Sequence, residues 1–310
     1  MNAIFLETER NGMLTEAKAY DYLSLRKVTK QLCERYDFLK EIRLGSSCAG
    51  REIYGLRIGK GSQYALIAAA FHGSEYIGEN VTLFFVEELC RALEENGNLA
   101  GMNARRALFG RGVILVPCVN PDGCEIAIRG RNACGPLAAA IERLCHGDFL
   151  HWNANLRGVD INHNFNAGWK ELHELERKSG IFGPAPTRFG GPRHESEPET
   201  VALTQLCRSG RIRHAVALHT QGEVIYWSYG KNRPPKSERM AEILATSSGY
   251  ALDVPTGLAA GGGFKDWFIE ELNRPAFTVE MGRGENPLPI EDAYKIYDRL
   301  REMLMLAAIM

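Results

Sequence analysis

The sequence predicts an α/β fold. We expect a single domain over residues 1–310 with a mixed, mostly parallel central sheet flanked by helices on both faces. Three observations point there. Apolar strand-length runs alternate with helix-length amphipathic stretches, the pattern of a sheet covered on both sides. Several runs, such as Val113-Ile114-Leu115-Val116, are continuously apolar, as in buried parallel strands. The chain, 310 residues with 45% apolar content, carries no repeat, no low-complexity tract and no linker.

In chain order, helical periodicity covers Tyr22 to Arg35, and a strand pair follows at Lys40 to Gly45 and Arg51 to Ile58. Tyr64 to Ala70 is a buried strand. The helix after it draws apolar positions from Tyr76, Val81, Leu83, Phe84, Val86, Leu89 and Leu93. Arg111 to Val119 is a buried strand, and Asn120-Pro121-Asp122-Gly123 after it has the composition of a turn. Pro198 to Cys207 and Lys236 to Ser248 have helical spacing. Arg213 to Leu218, ending at His219, and Ala276 to Glu280 are strands, and Ile290 to Ile309 closes the chain as an amphipathic helix. The Gly/Pro-rich loops Phe182 to Pro192 and Gly257 to Gly263 are long for simple connections, and loops of that length in compact domains often carry function.

The bulk chemistry excludes several classes. A net charge of −1 implies neither a nucleic-acid nor a membrane surface. No run approaches the roughly 18 apolar residues of a membrane span. Residues 1–10 lack the basic start and apolar stretch of a signal peptide, and none of the eight cysteines forms a C-x-x-C pair. These features lead us to expect reduced thiols in a cytoplasmic protein. They leave the oligomeric state open.

The chemistry concentrates at strand ends, where α/β folds place ligands. His72-Gly73-Ser74-Glu75 follows the Tyr64 strand, and an imidazole and a carboxylate at this spacing converge if the chain bends at Gly73. Both are zinc ligands, and a catalytic zinc needs about three protein ligands plus an open position. His219 stands at another predicted strand end. Alone it is as well explained as a hydrogen-bonded histidine at a sheet edge; beside His72 and Glu75 it completes a metal set. Glu280 ends an apolar strand, where a lone carboxylate is costly. It is either a base for a metal-activated water or one half of a structural ion pair with Arg283. Arg129 and Arg131 are either solvated loop charges or a cation that polarises a carbonyl.

In this order, His72-x-x-Glu75, Asn120-Pro121-Asp122-Gly123, Gly158-Val159-Asp160-Ile161-Asn162-His163-Asn164-Phe165, His219 and Thr278-Val279-Glu280 resemble the zinc carboxypeptidase family of the carboxypeptidase A type. The resemblance spans most of the chain. It implies one zinc per chain on His72, Glu75 and His219, Glu280 as general base and later proton donor, and Arg129, or failing it Arg131, as carbonyl polariser. Trp152 to Asp160, Phe189-Gly190-Gly191-Pro192 with Ser196-Glu197-Pro198-Glu199, Gly263 to Phe268 and Gly282-Arg283-Gly284-Glu285-Asn286-Pro287-Leu288-Pro289 are similar to a narrower branch. That branch is the γ-D-glutamyl-meso-diaminopimelate peptidases, which cut bacterial cell-wall peptides.

Two departures from the digestive pattern agree with that branch. Asn162-His163-Asn164 replaces the family's Asn-Arg-Asn, and imidazole cannot reproduce the bidentate grip of arginine on a terminal carboxylate. Leu258 stands where the family often has a capping tyrosine. Substrate binding then falls to Asn162, His163, Lys265 and Arg283, the last two either as carboxylate partners or as a solvent-exposed charge at Lys265 and a neutraliser of Glu280 or Glu285 at Arg283. The expected partner is a small muropeptide, with no nucleic acid and no membrane. An ordinary zinc carboxypeptidase, a deacylase of the aspartoacylase or desuccinylase type, and a silent peptide-binding relative are the competing functions.

Overall fold

The structure, a computed structural model, describes Leu14 and residues 16–310. Residues 1–10, read above as lacking signal-peptide features, lie outside the described residues.

The strands of the main sheet are β1 Lys40–Ser46, β2 Glu52–Gly59, β3 Tyr64–Ala69, β4 Gly112–Val116, β5 Ile212–His219, β6 Val224–Tyr226, β7 Ala251–Asp253 and β8 Ala276–Glu280, and Asn98–Leu99 and Met102–Asn103 form a separate short hairpin. The main sheet is eight-stranded, in the order β1-β2-β4-β3-β5-β8-β6-β7. The central strands β4, β3, β5 and β8 pair in parallel, while β1, β2 and β6 add antiparallel pairings toward the edges. The main helices are α1 Tyr22–Arg35, α2 Ile77–Glu94, α3 Pro121–Arg129, α4 Trp169–Lys178, α5 Pro198–Arg208, α6 Ser237–Ser248, α7 Phe264–Leu272 and α8 Ala293–Ile309.

Both faces of the centre are buried, so β3 is apolar at every position yet still splits with period two. Ala65, Ile67 and Ala69 pack in one core with Val81, Phe85 and Leu89 of α2 and Leu300 and Leu304 of α8. Leu66 and Ala68 pack in the other with Leu203 of α5 and Phe264, Trp267 and Phe268 of α7. This double cover holds the ends of β3, β5 and β8 in one rigid row.

Asn120-Pro121-Asp122-Gly123 opens a helix where a turn was expected. The Asn120 side chain accepts from the Gly123 N–H as an N-cap, and Pro121 occupies the first helical turn, where its missing N–H costs nothing. The same Asn120 amide donates to the carbonyls of Phe71, Asn153 and Ala154, tying three segments to one point. Helices α4 and α7, whose apolar positions recur at helical spacing over only nine or ten residues, and the three-residue strands β6 and β7 add to the elements expected from the sequence.

The last turn of α8 is held by β5. Arg213 donates to the carbonyls of Ala308 and Met310, and buried His214 donates from Nε2 to the Ala307 carbonyl at 2.7 Å. Burial lowers the His214 pKa from 6.5 to about 4, with Arg213 adding to the fall and the Ala307 bond opposing it. Between those values the folded state binds fewer protons than the unfolded one, so stability rises with pH across the window. The contribution is complete above about 6.5 and is lost as pH falls toward 4; its size is about 3 kcal/mol at most. His214→Gln is expected to flatten the dependence of the urea midpoint on pH between 4 and 6.5. An unchanged slope would assign the acid sensitivity to other groups.

Among the described residues, no helix is long and apolar enough to cross a membrane. All eight cysteines are free.

Candidate active site

The site is built where β3, β5 and β8 end side by side. After Ala69 the chain turns through Ala70 and Phe71 into an extended His72, then a short 3₁₀ turn, Gly73–Glu75, leads into α2. Position 73 admits only glycine. A Cβ there would lie 2.4 Å from the carbonyl oxygens of both Gly123 and Trp152. His219 ends β5, and the parallel register sets it directly beside Glu280 of β8.

The three metal candidates converge. His72 Nδ1 lies 2.9 Å from Glu75 Oε1, and His219 Nδ1 lies 3.0 Å from Glu75 Oε2. His72 Nε2 contacts Asp160 Oδ1 at 3.1 Å, which orients the ring and leaves Nδ1 facing Glu75. Asp160 is itself fixed by N–H bonds from Asn162 and Arg188. The His219 ring stacks on Phe71, with centroids 4.9 Å apart. Asn286, from the Gly282–Pro289 run, donates to the Thr220 carbonyl at 2.9 Å and reaches Glu75 Oε1 at 3.5 Å.

The electrostatics follow from burial. Desolvation raises the Glu75 pKa, but His72 and His219 outweigh it and bring it down to about 2. Desolvation likewise opposes the charged form of His72, and the Glu75 and Asp160 carboxylates overcome it and raise its pKa. Burial pushes Glu280 up to about 7; His219 and His72 oppose the rise and Glu75 adds to it. A carboxyl near neutrality at the cavity floor is suited to moving a proton in either direction.

The donor set fits a catalytic zinc. Two imidazole Nδ1 atoms and a carboxylate lie within 4.8 Å of one another, buried, with the second nitrogen of His72 already held by a carboxylate.

These groups line a cavity of about 490 Å³ together with Asn153, Asn162, His163, Arg188, Leu258, Lys265 and Glu280. Of the expected substrate-binding residues, Asn162, His163 and Lys265 stand on its wall. His163 Nδ1 contacts Glu176 at 2.9 Å. The Lys265 ammonium is buried, donates to the Ser228 carbonyl at 2.7 Å and pairs with Asp266.

The expected cations do not gather there. Arg129 is half-exposed and pairs with the buried Glu125 one turn earlier in α3, Arg131 pairs with Glu142, and Arg283 is 76% exposed and pairs with Glu223. None of the three lines the cavity. The reason is local: helix formation from Pro121 turns Arg129 into an i,i+4 partner of Glu125, and Arg283 follows a turn that leaves the sheet. In their place the cavity holds Arg188 and the amide of Asn153. Arg188 lies in the 182–192 loop, whose length was the one signal in the sequence that marked it. Asn153 follows Trp152 in the branch-like run and accepts from the Ser74 hydroxyl.

Comparison with known proteins agrees with this geometry. Residues 25–301 match the zinc carboxypeptidase family. Gamma-D-glutamyl-L-diamino acid endopeptidase 1 of Lysinibacillus sphaericus is 36% identical over 280 residues, covering 90% of this chain and 69% of the relative. Murein peptide amidase A of Escherichia coli is 29% identical, over 54% of this chain and 57% of that protein. The structure of bovine thrombin-activatable fibrinolysis inhibitor in complex with tick carboxypeptidase inhibitor shares the fold. It has a TM-score of 0.72 at 20% identity and covers 94% of this chain and 96% of that one.

Proposed function

The chain belongs to the zinc carboxypeptidase family, and on that premise we propose that it hydrolyses the amide between the γ-carboxyl of D-glutamate and diaminopimelate in bacterial peptidoglycan peptides. The observation that carries this reading is the wall formed by Asn162 and His163. Where a C-terminal-trimming enzyme needs a guanidinium fork, His163 is engaged by Glu176, and among the described residues the guanidinium that lines the cavity is Arg188, in a different loop. The identity to the endopeptidase of L. sphaericus supports the same choice.

His72, Glu75 and His219 would hold the zinc, with Asp160 and Asn286 orienting two of them. When bound, zinc polarises the scissile carbonyl and makes water acidic enough to attack near neutral pH. Glu280 takes the proton of the attacking water and passes it to the departing diaminopimelate nitrogen. Ser74 donates to the side-chain oxygen of Asn153, which leaves the Asn153 NH2 to serve as donor to the scissile carbonyl as it gains charge. Arg188 binds a substrate carboxylate at the cavity wall, which orients the γ-linked amide over Glu280. The free thiols accord with action in a reducing cytoplasm on soluble wall fragments, in cell-wall turnover.

The test is turnover of L-Ala-γ-D-Glu-meso-diaminopimelate by the zinc-loaded protein. Release of diaminopimelate and L-Ala-D-Glu is expected. Zinc without this product, but with release of single C-terminal residues from ordinary peptides, would sink the proposal in favour of a carboxypeptidase. Activity confined to N-acyl amino acids would favour a deacylase. Arg188→Met is expected to lower kcat/KM on the tripeptide about 10- to 100-fold, the size of a lost charge-assisted bond, chiefly through KM. Arg129→Met is expected to leave both constants near the parent values.

A further inference from the structure

A second cluster of metal-binding side chains lies behind the catalytic ligands and takes no part in the chemistry above. Glu79 is in the first turn of α2, four residues past Glu75. Cys118 lies just beyond β4, and Cys124 lies in the first turns of α3. The three are 1%, 6% and 3% exposed. One atom from each lies within 4.8 Å of the others, and the two Sγ atoms are 3.6 Å apart. Glu79 Oε2 is buried with no hydrogen-bond partner.

This arrangement is unfavourable for an apolar core. One Glu79 oxygen is left without a partner although both thiols hydrogen-bond the carboxyl, which is costly in a buried site, and the neighbouring charges acting on Glu79 are the acids Glu125 and Asp21. Burial drives the Glu79 carboxyl and both thiols upward from their ordinary values, so all three keep protons in the absence of a cation. The sulfur separation is too long for a disulfide, whose sulfurs are about 2 Å apart. It is close to the edge of a tetrahedral zinc–thiolate site, about 3.8 Å for bonds of about 2.3 Å. Two thiolates and one carboxylate select a borderline-soft divalent ion over magnesium or calcium.

We propose that Glu79, Cys118 and Cys124 form a second, structural metal site for a zinc-class divalent cation. Binding releases two thiol protons and one carboxyl proton to solvent and leaves the metal in their place. The ion joins the first turn of α2, which follows Glu75, to the Asn120–Gly123 cap that holds Phe71 and Asn153. It braces the frame from which the catalytic ligands project. The proposal does not depend on the peptidase reading, because the catalytic set contains no sulfur.

The test uses the full chain produced with cobalt as its only transition metal. Two Co²⁺ per chain and a near-ultraviolet thiolate-to-cobalt charge-transfer band are expected. The band should persist in His72→Ala/His219→Ala, which loses only the catalytic equivalent. It should vanish in Cys118→Ser/Cys124→Ser, which should retain one equivalent; that retained ion and the far-ultraviolet circular dichroism show that the variant folds. A single Co²⁺ without the band in the parent protein overturns the proposal whether or not any variant folds. So does a band that survives in the cysteine double variant, which would assign it to other thiols such as Cys48. A parent mass lower by two hydrogens, lost with Cys118 and Cys124, would identify a disulfide and also overturn it.

Discussion

Glu280→Gln is expected to lower kcat on the γ-D-glutamyl tripeptide by about 10³-fold, within the 10²–10⁴ range of general acid–base catalysis, while zinc content stays at the parent level. Glutamine keeps the size and register of the side chain beside His219, so the strand pairing and the metal ligands are undisturbed. It cannot accept a proton. The loss therefore falls on kcat, with KM changing little, because the proton moves only on the way to the transition state. The pH profile carries the same information. Without a cation, burial sets the Glu280 carboxyl at about 7 despite the opposing His219 and His72. A divalent ion on the neighbouring ligands favours the ionised form, so activity is expected to rise with pH along an acid limb centred below about 7. That limb should be absent from the residual activity of the glutamine variant. Near-full turnover by a zinc-replete Glu280→Gln protein would move the base elsewhere.

Asp266→Ala is expected to be the most destabilising single change at the cavity. Lys265 and Asp266 are 4% and 2% exposed and form an ion pair, with Ser228 and Gly261 satisfying one further bond on each partner. Removing the carboxylate leaves a buried ammonium with one carbonyl partner. Such a break costs about 3–5 kcal/mol, equivalent to a fall of roughly 10 °C in Tm for a chain of this size. Replacing both residues, as Lys265→Met/Asp266→Leu, should recover most of the loss, because two apolar groups of similar volume carry no unpaired charge. Differential scanning calorimetry of the two variants separates the outcomes. A loss below about 1 kcal/mol in Asp266→Ala would mean that water reaches the Lys265 ammonium and that it is free to meet a substrate carboxylate.

The sheet was legible because its signals are short-range. Tyr64–Ala69 is a continuous apolar run, Ile212–His219 is apolar through Ala215-Val216-Ala217-Leu218, and Ala276–Glu280 is mostly apolar up to Val279, and a covered parallel sheet buries such runs on both faces. The candidate ligands were legible for the same reason. A polar residue that ends such a run stands at the carboxyl edge of the sheet, and the Gly73 bend turns His72 and Glu75 inward together. Asn120 was misjudged because the same four residues suit a turn or a helix start. The helix forms because the Asn120 side chain caps it while its amide is held by Phe71, Asn153 and Ala154.

By itself, then, the sequence determined the fold class and placed the candidate residues His72, Glu75, His219 and Glu280 at or just beyond strand ends. Each of these depends on residues within one strand or one turn. Only the tertiary structure decided which cation meets the substrate cavity. Arg129, Arg131 and Arg283 are charged in the sequence in the same way as Arg188, but Glu125, Glu142 and Glu223 pair with the first three away from the cavity. Arg188 reaches the cavity because its backbone N–H bonds to Asp160, 28 residues earlier, the same carboxylate that orients His72. The direction of a long side chain is set by whichever opposite charge or hydrogen bond the fold brings within reach, and that partner is remote in the chain.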